Sequence, residues 1–119
     1  MSDSIVKTKS FDLAVSGVFF YKHIVNEKKE YIMSKQFLRS ITSVGANVRE
    51  AVNAQRKPDF IHKLAIAQKE CDETMYWLEL LQATDYISHE EFQKIHNQSH
   101  EVLKIIRSII ITTKKNLEK

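Results

Sequence analysis

The chain is short of the residues that punctuate or cross-link a protein. It has two glycines and one proline in 119 residues. An all-β fold with many tight turns needs more of both, so that class is excluded. A single cysteine, Cys71, cannot close an internal disulfide and gives no sign of an oxidising compartment. No apolar run approaches the length of a membrane span, and no charged-then-apolar leader stands at the N-terminus. The expectation is a soluble cytoplasmic protein that does not enter a membrane. Charge is not strongly of one sign either. The net charge of +3 and pI near 9.0 give a mildly basic surface, which permits a nucleic-acid or acidic-protein partner without requiring one.

What is present is apolar periodicity. Hydrophobic residues make up 43% of the chain, enough for one core in a single domain spanning 1–119. Phe11, Ala14, Val18, Tyr21 and Val25 alternate three and four apart, as an inward helix stripe does, with Ser10 placed as an N-cap and with Leu13, Phe20 and Ile24 on a neighbouring face. Phe37, Ile41, Val44, Val48 and Ala51 repeat the pattern. A third stripe runs through Phe60, Leu64, Ala67, Cys71, Thr74, Leu78 and Leu81, behind Pro58, which suits a first helical turn. Ser88 and Glu91 form a capping box before a fourth stripe of Phe92, Ile95, Ser99, Val102, Ile106, Ile109 and Thr113. The reading is all-α: helices over about 10–26, 34–55, 58–84 and 89–115, joined by short links into an antiparallel up-down-up-down four-helix bundle.

The second helix carries Ser40, Ser43, Gly45 and Asn47 at its centre, all poor helix formers. Gln36, Ser40, Ser43, Asn47 and Glu50 form a stripe about 100° round from the apolar one. A solvent face would carry more Lys and Glu, so this face is expected to pack. One outcome is a plain helix crossing. The other is a polar network in which Lys69, Glu70 and Glu73 of the third helix partner Asn47, Arg49 or Glu50.

These segments carry a resemblance. "SxxSVGANVREA" (Ser40, Ser43, Val44, Gly45, Ala46, Asn47, Val48, Arg49, Glu50) is followed by "KPDFIHKLAIAQKECDETMYWLELL". In order and spacing they resemble the bacterial four-helix bundle family named after the 23S ribosomal RNA intervening-sequence protein. The likeness covers about residues 9–112; Arg56 and Pro58 depart from the family's serine-led cap. It implies a left-handed antiparallel bundle that assembles as a homo-oligomer, commonly a ring of five, with no settled activity. Relatives include the accessory variability determinant of diversity-generating retroelements, which partners with reverse transcriptase and nucleic acid.

Catalytic chemistry finds little footing. Glu-x-x-His pairs would build a di-iron site in such a bundle, yet the residues three before each His are Phe20, Asp59, Tyr86, Gln93 and Asn97. His96 and His100 have the spacing of a metal pair with His89 nearby, but a polar face that is rich in His explains them as well. Cys71 lies on an apolar stripe and reads as a small buried hydrophobe. No phosphate-binding glycine loop appears, and neither cofactor, metal nor enzymatic activity is expected.

A binding role fits better. Val15, Phe19 and Phe20 on the first helix, with Leu103, Ile105 and Ile110 on the fourth, exceed one stripe and point to subunit contacts. Tyr76 and Trp77 are adjacent, so one can fill the core while the other reaches an interface. Basic residues gather in two places: Arg49, Arg56, Lys57 and Lys63 near the link between helices two and three, and Lys104, Arg107, Lys114 and Lys115 toward the C-terminus. In an up-down-up-down bundle these share one pole. The expected protein is a non-enzymatic homo-oligomer binding RNA or DNA without base readout, or a nucleic-acid-handling protein such as a reverse transcriptase. A purely structural protein-interaction module is the alternative.

Overall fold

The computed structural model describes residues 2–118, and all its regular structure is helical among those residues. Helix α1 spans Ser2–His23 and relaxes into a π-helical turn at Ile24–Lys28. Helix α2 spans Met33–Val52, α3 Lys57–Ala83 and α4 His89–Glu118. Each helix packs on its neighbours in the chain, and α1 also meets α4. The molecule measures 51 × 21 × 20 Å. A helix with side chains is about 10–12 Å across, so these dimensions fit a four-helix bundle two helices wide in each direction.

Three of the four apolar stripes lie where their spacing puts them. Phe37, Ile41, Val44, Val48 and Ala51 are fully buried, as are Leu64, Ala67, Cys71, Leu78 and Leu81. On α4, Ile95, Ser99, Val102, Ile106 and Thr113 face inward, with Phe92 and Ile109 partly covered. The two hydrogen bonds of the Ser88 capping box are present, Ser88 N–H to Glu91 Oε1 at 2.8 Å and Glu91 N–H to Ser88 Oγ at 3.1 Å. Helix α3 ends in a Schellman arrangement around Asp85, whose φ is 67°. Tyr86 N–H reaches Leu81 O at 2.9 Å and Asp85 N–H reaches Gln82 O at 3.0 Å.

Helix α1 corrects the sequence expectation twice. It begins well before residue 10, so Ser10 is not an N-cap: it is buried in the helix, its hydroxyl donating to Lys7 O at 3.2 Å. The inward stripe is Val6, Ser10, Leu13, Gly17, Phe20 and Ile24, one face round from the stripe headed by Phe11. Phe11 is 55% exposed. The physical reason is close approach to α2. A Cβ on Gly17 would lie 2.5 Å from Ile41 Cγ2, and one on Gly45 would lie 3.2 Å from the Ser10 carbonyl oxygen. Small residues let the helices meet there, and Phe20 then packs edge-on against Phe37 at 5.3 Å. The surplus expected on α4 is corrected too: Leu103 and Ile110 are buried within the chain and Ile105 packs partly on its core.

The start of α2 is held by a residue that helical periodicity passes over. Glu30, only 7% exposed, turns its carboxylate back onto the N-terminus of α2. The N–H groups of Ile32, Met33 and Ser34 donate to it at 2.9, 3.0 and 2.7 Å, and Ser34 Oγ donates to Glu30 O at 2.8 Å. Burial acts to raise the Glu30 pKa, but the backbone donors outweigh it and hold the carboxyl below its ordinary value.

Candidate nucleic-acid interface

The polar stripe of α2 packs only in part, with Ser40 buried, Ser43 and Asn47 half-buried and Gln36 and Glu50 exposed, and its partners differ from those its spacing suggests. Ser40 is fully buried and accepts from Thr74 Oγ1 at 3.0 Å across the α2–α3 contact. Glu70 and Glu73 do not meet Asn47, Arg49 or Glu50. Both are taken by Arg39, at 3.1 Å to Glu70 and in a direct ion pair with Glu73. Asn47 bonds within its own helix, to Ser43 O at 2.9 Å, and Lys69 is exposed. Glu50 pairs instead with Lys63 at 3.3 Å. Arg39 is absent from the network read off the sequence because facing acids require a cation without saying which turn of α2 supplies it.

Of the candidate contact residues, Arg49, Arg56, Lys57, Lys104, Arg107, Lys114 and Lys115 are exposed and Lys63 is half-buried. Lys63 is committed to Glu50, and Arg107 lies 3.9 Å from Asp72. Arg49 stands 5.9 Å from the centroid of the Phe11 ring, and Lys57 stands 5.7 Å from that of Phe60. A hollow between α2 and α3 is lined by Arg56, Lys57 and Phe60. Another joins α1 and α4 through Ile5, Lys104 and Ile105. Two more flank Phe11. One, of about 220 Å³, has Ala14, Gly45 and Ala46 in its lining; the other, of about 310 Å³, has Ser4 and Thr8; both include Lys7, Phe11 and Arg49. The first turns of α1 therefore share hollows with one member of each basic group, Arg49 on one side and Lys104 on the other. Neither Lys7 nor Phe11 is among the candidates of the sequence, since a helix beginning at residue 10 leaves Lys7 outside it and an inward stripe hides Phe11; their four-residue spacing is the signal that pairs them.

Cys71, His89 and His96 are engaged structurally. Cys71 is buried, its thiol donates to Ser99 O at 3.1 Å, and burial, assisted by Asp72, pushes its pKa up to about 12. A thiol in that state is a poor nucleophile. His96 stacks on Phe92 at 4.7 Å and points to Glu79 at 3.4 Å, while His89 Nδ1 meets Gln82 at 3.1 Å. Among the described residues no group of three or more His, Cys, Asp or Glu is gathered to hold a metal ion, and no helix is long and apolar enough to cross a membrane.

Comparison with known proteins gives a consistent picture. Residues 2–108 match the family model described as 23S rRNA-intervening sequence protein. The chain is similar to a crystal structure from Bacteroides thetaiotaomicron VPI-5482, a protein of unknown function from the S23 ribosomal protein family. That similarity is 56% identity and a TM-score of 0.91, over 92% of this chain and 98% of the other. No curated protein matches the sequence.

Proposed function

We infer, from the premise that the chain belongs to the 23S rRNA-intervening sequence protein family, that it is a non-enzymatic helical scaffold working as a homo-oligomer. Its basic surface binds RNA or DNA irrespective of sequence, or a nucleic-acid-handling protein such as a reverse transcriptase, in the cytoplasm. The bundle is up-down-up-down and left-handed, and the oligomer a ring of five. Paired contacts whose numbers rise on one helix and fall on the other support antiparallel neighbours: Ser10–Gly45 with Gly17–Ile41, Arg39–Glu70 with Glu50–Lys63, Asp72–Arg107 with Glu79–His96, and Lys9–Glu101 with His23–Glu91.

The observation that carries the nucleic-acid reading is the exposed cations beside the first turns of α1, Arg49 in one hollow and Lys104 in another, with exposed Arg56 and Lys57 together in a third hollow between α2 and α3. Copies arranged in a ring would multiply that charge, and phosphate affinity grows with each contact. Titrating fluorescein-labelled RNA and DNA at low and moderate salt tests it. Binding should weaken steeply with salt and hardly vary with sequence. Absence of binding at low salt would remove the reading.

A protein-interaction module is favoured by a different feature. Val15 and Phe19 on α1 are 40% and 66% exposed, four residues apart on the outer face. Recovery of one protein partner after nuclease treatment would support that role. The molar mass by light scattering comes first, since a monomer would refute the scaffold in its assembled form.

A further inference from the structure

We propose that the Lys7–Phe11–Arg49 face is a subsite for single-stranded nucleic acid, in which an unpaired base stacks on Phe11 while Lys7 and Arg49 hold the neighbouring phosphates. The proposal rests on the nucleic-acid reading above and specifies which form of nucleic acid the surface takes.

Three features carry it. The Phe11 ring is 55% exposed and separates two hollows that both include the Lys7 and Arg49 side chains. The smaller one is lined by Ala14, Gly45 and Ala46, whose lack of bulk leaves room for a flat group beside the ring. The other adds the Ser4 and Thr8 hydroxyls, which can donate to phosphate or sugar oxygens. Among the described residues, neither hollow is lined by a carboxylate.

That charge distribution selects the occupant. An apolar protein surface laid over Phe11 would have to desolvate Lys7 and Arg49 without pairing them, which is costly. A phosphate backbone pairs both. A duplex satisfies the cations, but its base faces are stacked and out of reach of a single ring. Only an unpaired strand offers phosphate and a free base face together. A second cation–aromatic pair, Lys57 with Phe60, shares its hollow with Arg56 between α2 and α3. It extends the same chemistry past the end of α2.

Labelled single strands of RNA and DNA, and a hairpin duplex, should be titrated against the full-length protein and against Phe11→Ala and Phe11→Trp. Phe11→Ala should weaken single-strand binding about 5- to 100-fold, the range of one lost base stack, and leave duplex binding and its salt slope unchanged. Lys7→Ala should lower the single-strand salt slope by about 0.7. Phe11→Trp should keep single-strand affinity, and its added indole fluorescence should be quenched by single strands and not by duplex. Light scattering checks that the variants assemble as the parent does; if Phe11→Ala does not, the Phe11→Trp quench decides. Wild-type binding with no quench in Phe11→Trp, or an equal loss for single and double strands in Phe11→Ala, overturns the subsite and leaves the broader reading standing. Absence of wild-type binding to every probe at low salt overturns both.

Discussion

Removing the Glu30 carboxylate tests how the second helix is started. In Glu30→Ala, the N–H groups of Ile32, Met33 and Ser34 lose the acceptor they share, and Ser34 is fully buried where water cannot replace it. A hydrogen bond to a charged group contributes about 1.5–3 kcal/mol, and losing an ordinary N-cap costs about 0.5–2 kcal/mol. The three bonds share one carboxylate and are not additive, and Ile32 can turn to solvent. A loss of about 2–4 kcal/mol is expected, with Glu30→Gln losing about half because one oxygen remains an acceptor. Urea unfolding at fixed protein concentration measures it, since an assembled protein's stability depends on concentration. The pH profile gives a second readout. The folded-state carboxyl lies below the ordinary value of 4.5, so the unfolded chain binds the proton more readily. The stabilisation is therefore complete above pH 4.5 and is lost as pH falls from there through the depressed folded value. The difference between parent and Glu30→Gln should be flat near neutrality and shrink in acid. A loss under 0.5 kcal/mol for Glu30→Ala, the lower bound for a cap, would refute the reasoning, as would a difference that grows in acid.

Other perturbations follow from the same contacts. Gly45→Leu should cost about 1–3 kcal/mol by overfilling the approach to the Ser10 carbonyl; unchanged melting and assembly would mean that α1 yields there freely. Gly17→Ala should destabilise despite adding only a methyl group, because that methyl would meet Ile41 at 2.5 Å; differential scanning calorimetry reads the shift. Asp85→Gly should raise stability by up to about 1 kcal/mol, since Asp85 holds a left-handed φ of 67° that glycine adopts without strain. The Cys71 thiol, with its pKa pushed up to about 12, should resist maleimide at neutral pH in the folded protein and react once urea unfolds it.

The fold was legible where one stripe dominated a helix. On α2, α3 and α4 the spacing named the buried residues nearly one for one, and the Ser88–Glu91 box stood where its two side chains indicated. On α1 apolar residues occur on more than one face, and a pattern of large side chains led to the wrong one. Its true register runs through Ser10 and Gly17, residues that a hydrophobic pattern discounts and that only the partner helix makes necessary. The basic surface was half legible. Arg49 and Lys57 could be named from local charge, whereas Lys7 and Phe11 join Arg49 only across the α1–α2 contact.

Local interactions, then, were written in the chain itself: helical type, caps, breaks and the burial of three stripes depend on neighbours within a turn or two. Tertiary structure alone decided which face of α1 turns inward, that Arg39 serves Glu70 and Glu73, and that Phe11 stands in solvent beside Lys7 and Arg49. Each depends on the rotation and axial register of one helix against another. For α1 against α2, the close approach of Gly17 to the Ile41 side chain and of Gly45 to the Ser10 carbonyl sets both, and no periodicity within a single helix encodes them.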